Sequence, residues 1–267
     1  MTYQFAPAYP TPQHQRSAEL ITEFFSRQAG VSAVLLTCSC ARGRASRDSC
    51  LDIAVLLNPA LPAAEQAGLE AAWQRYQQAE PAFAAQRAVG RFSQVDLDLT
   101  RGEFDPARHP HGWTSGADSF ELEVGNLLAY SHPLWIGDYS YAQLKSRWLP
   151  YYDEDLRRTR LDMTLKYCRN NLEHIPLYVR RGLFFQSFKR LYQAFEEFLQ
   201  ALFIARRVYP LAYDKWVREQ VVEILELPAL YPRLVHLLEV SQLESDELID
   251  KAEELQELLR EWVLQPS

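Results

Sequence analysis

The chain lacks any apolar run that approaches the roughly 20 residues needed to span a bilayer, so no transmembrane segment is expected. No apolar stretch follows a basic start, so no secretory leader is expected and the cytoplasm is the expected location. Four cysteines in such a setting are expected to be reduced. Positive charge is in deficit: 28 Lys and Arg against 35 Asp and Glu leave a net charge of −7. That balance argues against a general affinity for nucleic acid or an anionic membrane. It leaves room for a small ligand held by a few local arginines. Internal repeats and low-complexity segments are absent.

What is present is ordinary for a globular protein: 48% apolar and 24% charged residues. A chain of 267 residues makes one large domain or two ordinary ones. Folding at that size buries roughly 70–75% of the unfolded surface, so no staple is needed. After a proline-rich arm, Leu20, Ile21, Phe24 and Phe25 recur at helical spacing until Gly30. Val31–Thr37 and Leu51–Leu57 read as two strands joined by a polar loop. Pro62 to Glu80 reads as a helix with Leu69, Trp73 and Tyr76 on one face. Phe92 to Thr100 alternates strictly, with Val95, Leu97 and Leu99 on one side and Gln94, Asp96 and Asp98 on the other.

A further helix is expected from Asp118 to Tyr130, with His132 capping or packing at its end. Beyond about Tyr141 the strand signals vanish, and about five helices follow, over 153–174, 181–207, 211–225, 228–240 and 244–264. The stripe Phe184, Phe188, Leu191, Phe195, Phe198 and Leu202 marks a packed helix face. The expected organisation is α+β: a small mixed-sheet domain over 13–140, then a C-terminal helical bundle over 141–267.

Thr37 to Val55 reads TCSCARGRASRDSCLDIAV. It resembles the active-site strand–loop–strand of DNA polymerase beta-like nucleotidyltransferases. Their pattern is Gly-Ser after an apolar strand, a loop with Ala-Arg-Gly, and Ser-Asp-x-Asp entering the next strand. Ser39, Ala41-Arg42-Gly43, Ala45, Ser49 and Asp52 match at their offsets. Two positions depart: Cys38 stands at the glycine and Cys50 at the first aspartate. The layout is similar to that of antibiotic (streptomycin and kanamycin) adenylyltransferases, with Tyr209-Pro210 and Lys215-Trp216 fitting a turn of those proteins. It is also similar to an uncharacterised nucleotidyltransferase-like family with a domain of unknown function.

The resemblance implies transfer of a nucleoside monophosphate from a nucleoside triphosphate to a hydroxyl of a small molecule or protein. Mg²⁺ neutralises the triphosphate in that chemistry. Carboxylates at i and i+2 of a strand share a face and reach the same ions. Asp52 would then hold metal with Asp96 or Asp98, parity leaving both open. Ser39, Arg42, Gly43 and Ser49 would cradle the phosphates. Cys50 removes one hard ligand, and Cys38 adds a Cβ where glycine lets phosphate approach. Asp48 precedes the strand and does not share the i, i+2 geometry. The alternative is a non-catalytic binding or regulatory module.

Other polar residues have plainer readings. Cys38, Cys40 and Cys50 could meet His109 or His111 at a soft metal, but the spacing is not a common zinc signature, and free cysteines are often small buried hydrophobes. A redox disulfide from Cys38 or Cys40 to Cys50 is the other reactive option. Glu121 and Glu123 read as helix-surface charge, ahead of a role as an acceptor-site base.

Overall fold

Thr11 ends the irregular arm and starts the first helix. Its hydroxyl accepts the His14 amide, and Pro12 takes the first helical position, where a missing N–H is harmless. The computed structural model describes residues 5–107 and 116–264. The fold is α+β, divided into two compact units: Met1–Phe104 with Val124–Leu149, and Asp105–Glu123 with Pro150–Ser267.

In the first unit, α1 (Pro12–Ser26) leads into β1 (Val31–Leu36), the single turn α2 (Cys38–Ala41) and β2 (Leu51–Leu57). Then come α3 (Ala63–Ala79), α4 (Pro81–Arg87) and β3 (Val95–Thr100). The chain passes through the second unit as far as Glu123, where α5 (Phe120–Val124) lies, and the first unit resumes with a π-helical stretch (Gly125–Ala129), β4 (His132–Ile136) and α6 (Ser140–Trp148). The four strands lie in the order β3-β2-β1-β4. β1 runs antiparallel to β2 and to β4, while β2 and β3 are parallel, so the sheet is mixed.

The central strands are apolar along nearly their whole length because both faces are covered. Every residue of β1 is buried, and in β2 only Asp52 is not. One face packs on Ala18, Ile21 and Phe25 of α1 and on Trp73 and Phe83 of the crossover helices. Phe24, Phe25, Trp73, Tyr76 and Phe83 form an aromatic cluster with ring centroids 4.8–6.1 Å apart. Such pairs add about 0.5–1.5 kcal/mol each beyond burial. β3 is an edge strand with the expected alternation: Val95, Leu97 and Leu99 half-buried, Asp96 and Asp98 exposed.

Two expectations change here. The helix expected over 118–130 is five α-helical residues followed by the π-helical stretch. His132 does not cap that helix; it is the exposed first residue of β4. A five-residue strand with proline at its second position gives little sequence signal, and only an edge strand tolerates that proline.

The second unit is helical: α7 (Glu154–Val179), α8 (Phe184–Arg206), a π-helical turn (Glu219–Ile224), α9 (Leu230–Leu237) and α10 (Glu247–Leu259), which runs on to Leu264 as a π-helix. Asp153 caps α7 by accepting the Leu156 amide at 2.9 Å. Leu165, Cys168 and Leu172 of α7 meet Leu191, Phe195, Phe198 and Leu202 of α8 in the core. The helix expected over 211–225 shrinks to its last turn. The Gln220 side chain bonds Leu211 N, Ala212 O and Lys215 O at 2.7, 2.7 and 2.9 Å, satisfying an irregular backbone instead. No described helix is long and apolar enough to cross a membrane.

Candidate functional site

Where β1 ends, Thr37 N donates to Asp52 O at 3.0 Å and the chain turns sharply into α2. Cys38 makes that turn at φ +53°, in the left-handed region. An L residue loses about 1–2 kcal/mol there, whereas glycine adopts it freely. The position filled by glycine in the resembled pattern thus keeps a glycine-type backbone while carrying a cysteine.

Ser39, Cys40, Ala41 and Arg42 behind it are buried. The Cys40 thiol reaches the Cys50 carbonyl at 3.9 Å. Burial, then the charges of Asp52 and Cys38, push its pKa up to about 12, so it is protonated at neutral pH. Gly43 lies at φ +69°, and a Cβ there would sit 2.6 Å from the Ala6 carbonyl oxygen. The N-terminal arm passes directly over this residue, and Ala8 N donates to Cys40 O at 3.0 Å. Gly43 is therefore required by the arm.

The loop that follows is tied down at several points. Ser46 N donates to Ser49 Oγ at 2.9 Å, which engages the Ser49 hydroxyl within the loop. His14 is fully buried beneath it, its Nε2 2.9 Å from Ser49 O and its Nδ1 2.7 Å from Thr11 Oγ1. A carbonyl can only accept, so Nε2 carries a proton and donates to it. Asp48 Oδ1 accepts Arg91 N at 3.2 Å, which fixes Asp48 to the 90–91 turn.

At the end of this loop stand Cys50, Asp52 and Asp96. Cys50 and Asp52 are two residues apart on one face, and the parallel register sets Asp52 beside Asp96. One ligand atom from each of the three residues lies within 4.8 Å of the other two. Asp98 pairs with Ala54, two residues or about 7 Å farther along the strand, and is outside this cluster. Cys50 Sγ is 3.2 Å from both Asp52 oxygens, and the thiol donates to that carboxylate. Burial, followed by the Asp52 charge and this hydrogen bond, raises the Cys50 pKa well above the usual thiol range. Gln94 Nε2 donates to Asp96 Oδ1 at 3.0 Å.

A sulfur and two carboxylates do not fit Mg²⁺, which takes an octahedron of hard oxygens. The Cys50 hydrogen bond instead meets part of Asp52's need for a donor without any ion.

The remaining candidates separate cleanly. His109 and His111 lie outside the described residues. All four cysteines are free thiols. Glu123 is exposed, as expected of helix-surface charge, but Glu121 is fully buried. Arg160 donates to both Glu121 oxygens (2.6 and 2.8 Å), to Asp118 Oδ1 (2.5 Å) and to the Pro106 carbonyl (2.7 Å). Tyr152 OH and Gln200 Nε2 add hydrogen bonds to Glu121, each of 2.8 Å. Two residues that shape the candidate site, His14 and Gln94, carry no signature of a role in the sequence. An isolated histidine in a helical stripe and a glutamine on a strand look like ordinary surface.

No family model matches the chain, and no curated protein matches it. Among solved structures, it is similar to a nucleotidyltransferase-like protein from Exiguobacterium sibiricum 255-15, at 12% identity and a TM-score of 0.45. That alignment covers 92% of this chain and 74% of the other.

Proposed function

We propose that the chain is a nucleotidyltransferase-like protein whose Mg²⁺-dependent transfer has lapsed, leaving a nucleotide-binding or regulatory module. The observation that carries this reading is the Cys50 thiol 3.2 Å from both oxygens of Asp52. In an active site of this class, position 50 would supply a carboxylate to the metal that neutralises the triphosphate. Here it donates a hydrogen bond to the neighbouring carboxylate. The scaffold around it supports the family reading: Ser39 in the first turn of α2, the left-handed backbone at 38, and Asp52 beside Asp96. The first turn of a helix also offers backbone N–H groups to a phosphate.

Titration of ATP in the presence of Mg²⁺, followed by calorimetry and by assay for released pyrophosphate, tests this. The wild-type chain is expected to release no pyrophosphate and to bind ATP equally with and without Mg²⁺. Cys50→Asp is expected to gain Mg²⁺-dependent binding. Steady Mg²⁺-dependent turnover by the wild type would restore the alternative, a working transferase acting on a hydroxyl acceptor. A Cys50→Asp protein that folds but ignores Mg²⁺ would remove the nucleotidyltransferase reading of the loop.

A further inference from the structure

We infer that Cys50, Asp52 and Asp96 form a site for a thiophilic divalent cation, with Zn²⁺ and Co²⁺ as probes, and that it prefers such an ion to Mg²⁺. The strand geometry builds the site. Residues 50 and 52 share a face by parity, and the parallel register of β2 and β3 delivers Asp96 beside them. Their donor atoms already lie within 4.8 Å of one another. The 3.2 Å between Sγ and the Asp52 oxygens is close to the donor spacing that tetrahedral Zn²⁺ imposes. Bond lengths of about 2.3 Å to sulfur and about 2.0 Å to oxygen give an edge of roughly 3.5 Å. The Cys50–Asp52 edge therefore already suits the ion, and the Asp96 carboxylate closes the site from within 4.8 Å.

Access and orientation agree with this. Asp96 is exposed, and Cys50 and Asp52 are half-buried, so an ion has a route in from solvent. Gln94 holds one oxygen of Asp96 by hydrogen bond, the kind of supporting contact that orients a ligating carboxylate. Three protein ligands leave a fourth tetrahedral position for water or a ligand. The substitution that spoils the site for Mg²⁺ suits a softer ion, because sulfur is a poor partner for a hard cation and a good one for a borderline cation. On binding, the S–H bond of Cys50 breaks, its proton passes to solvent, and the sulfur lone pair forms the bond to the metal. No electron changes hands. The inference uses the side chains of the proposed function but needs no nucleotide, so the two fail separately.

The test is a Co²⁺ titration of the full chain, stripped of metal and kept reduced with a non-thiol reductant. One equivalent is expected to produce a thiolate-to-cobalt charge-transfer band in the near ultraviolet, with one proton released per ion. Zn²⁺ is expected to abolish the band, and Mg²⁺ at about 100-fold excess to leave it intact. Cys50→Ser and Asp96→Asn are expected to remove it, and Cys40→Ser to keep it. Asp96 is exposed, so Asp96→Asn tests the site even where a change at Cys50 perturbs folding. Absence of the band, its survival in Cys50→Ser, or its displacement by Mg²⁺ overturns the inference. A band in the wild type beside a Cys50→Asp variant that ignores nucleotide keeps the metal site and removes the proposed function.

Discussion

Cys38 and Cys50 show how much one side chain decides when the backbone is held constant. At position 38 the turn from β1 into α2 demands a left-handed conformation whatever residue occupies it. The cysteine sits there at φ +53°. Glycine would remove a penalty of about 1–2 kcal/mol but bring an entropic cost of about 0.5–1 kcal/mol. Cys38→Gly is therefore expected to stabilise the protein by about 0.5 kcal/mol in urea denaturation. A loss of stability instead would mean that the sulfur's contacts outweigh the backbone relief. At position 50 the change is chemical. A carboxylate would repel Asp52 and call for an ion, whereas the thiol donates to it. The resemblance made both positions visible in the sequence, because each is a departure at a fixed offset. His14 was not visible: its value lies in a carbonyl 35 positions away, at Ser49.

Among elements, register is what selects between the two aspartates of β3. Alternation puts Asp96 and Asp98 on the same face, and no count of residues along one strand separates them. The parallel pairing with β2 does, setting Asp96 opposite Asp52 and Asp98 opposite Ala54. Asp98→Asn is accordingly expected to leave the cobalt band and its titration midpoint unchanged, in contrast with Asp96→Asn. Equal losses in both variants would mean that β3 is shifted by two residues from the pairing described. The loop before β2 is a second case of the same kind. Ser49 and Gly43 stand at offsets suited to phosphate, yet Ser49 caps its own loop and Gly43 makes room for the Ala6 carbonyl.

Across the whole molecule, each compact unit has its own apolar core, and the helical one also contains a buried charge network. Arg160 is fully buried between Glu121 and Asp118. Removing the cation leaves two carboxylates with neutral hydrogen-bond donors but no balancing charge, which costs about 3–5 kcal/mol. Arg160→Met is expected to lower the unfolding free energy by that amount in urea. Arg158→Ala, which breaks an exposed pair with Asp155, is expected to change it by less than about 1 kcal/mol. Similar losses in the two variants would show that the buried network contributes little beyond a surface pair. Glu121 also marks a limit of sequence reading. On periodicity alone it resembles its neighbour Glu123, and only the arrival of Arg160 from a helix 39 positions away makes it interior.

The sequence by itself determined the strands around the candidate site, β1, β2 and β3, but not the helical turn α2 between the first two. Short apolar runs bounded by turn residues suit doubly covered strands, strict alternation suits a half-exposed one, and a four-and-three stripe suits a buried helix face. It also marked Cys38 and Cys50 as the two departures from the resembled pattern. Tertiary structure decided which groups meet: Asp96 beside Asp52, the Cys50 thiol on that carboxylate, His14 under the loop, Arg160 beside Glu121. Periodicity is a property of a single strand or helix and is written in consecutive residues. Proximity between strands or helices depends on register and packing, which arise only when distant segments bury their apolar faces together.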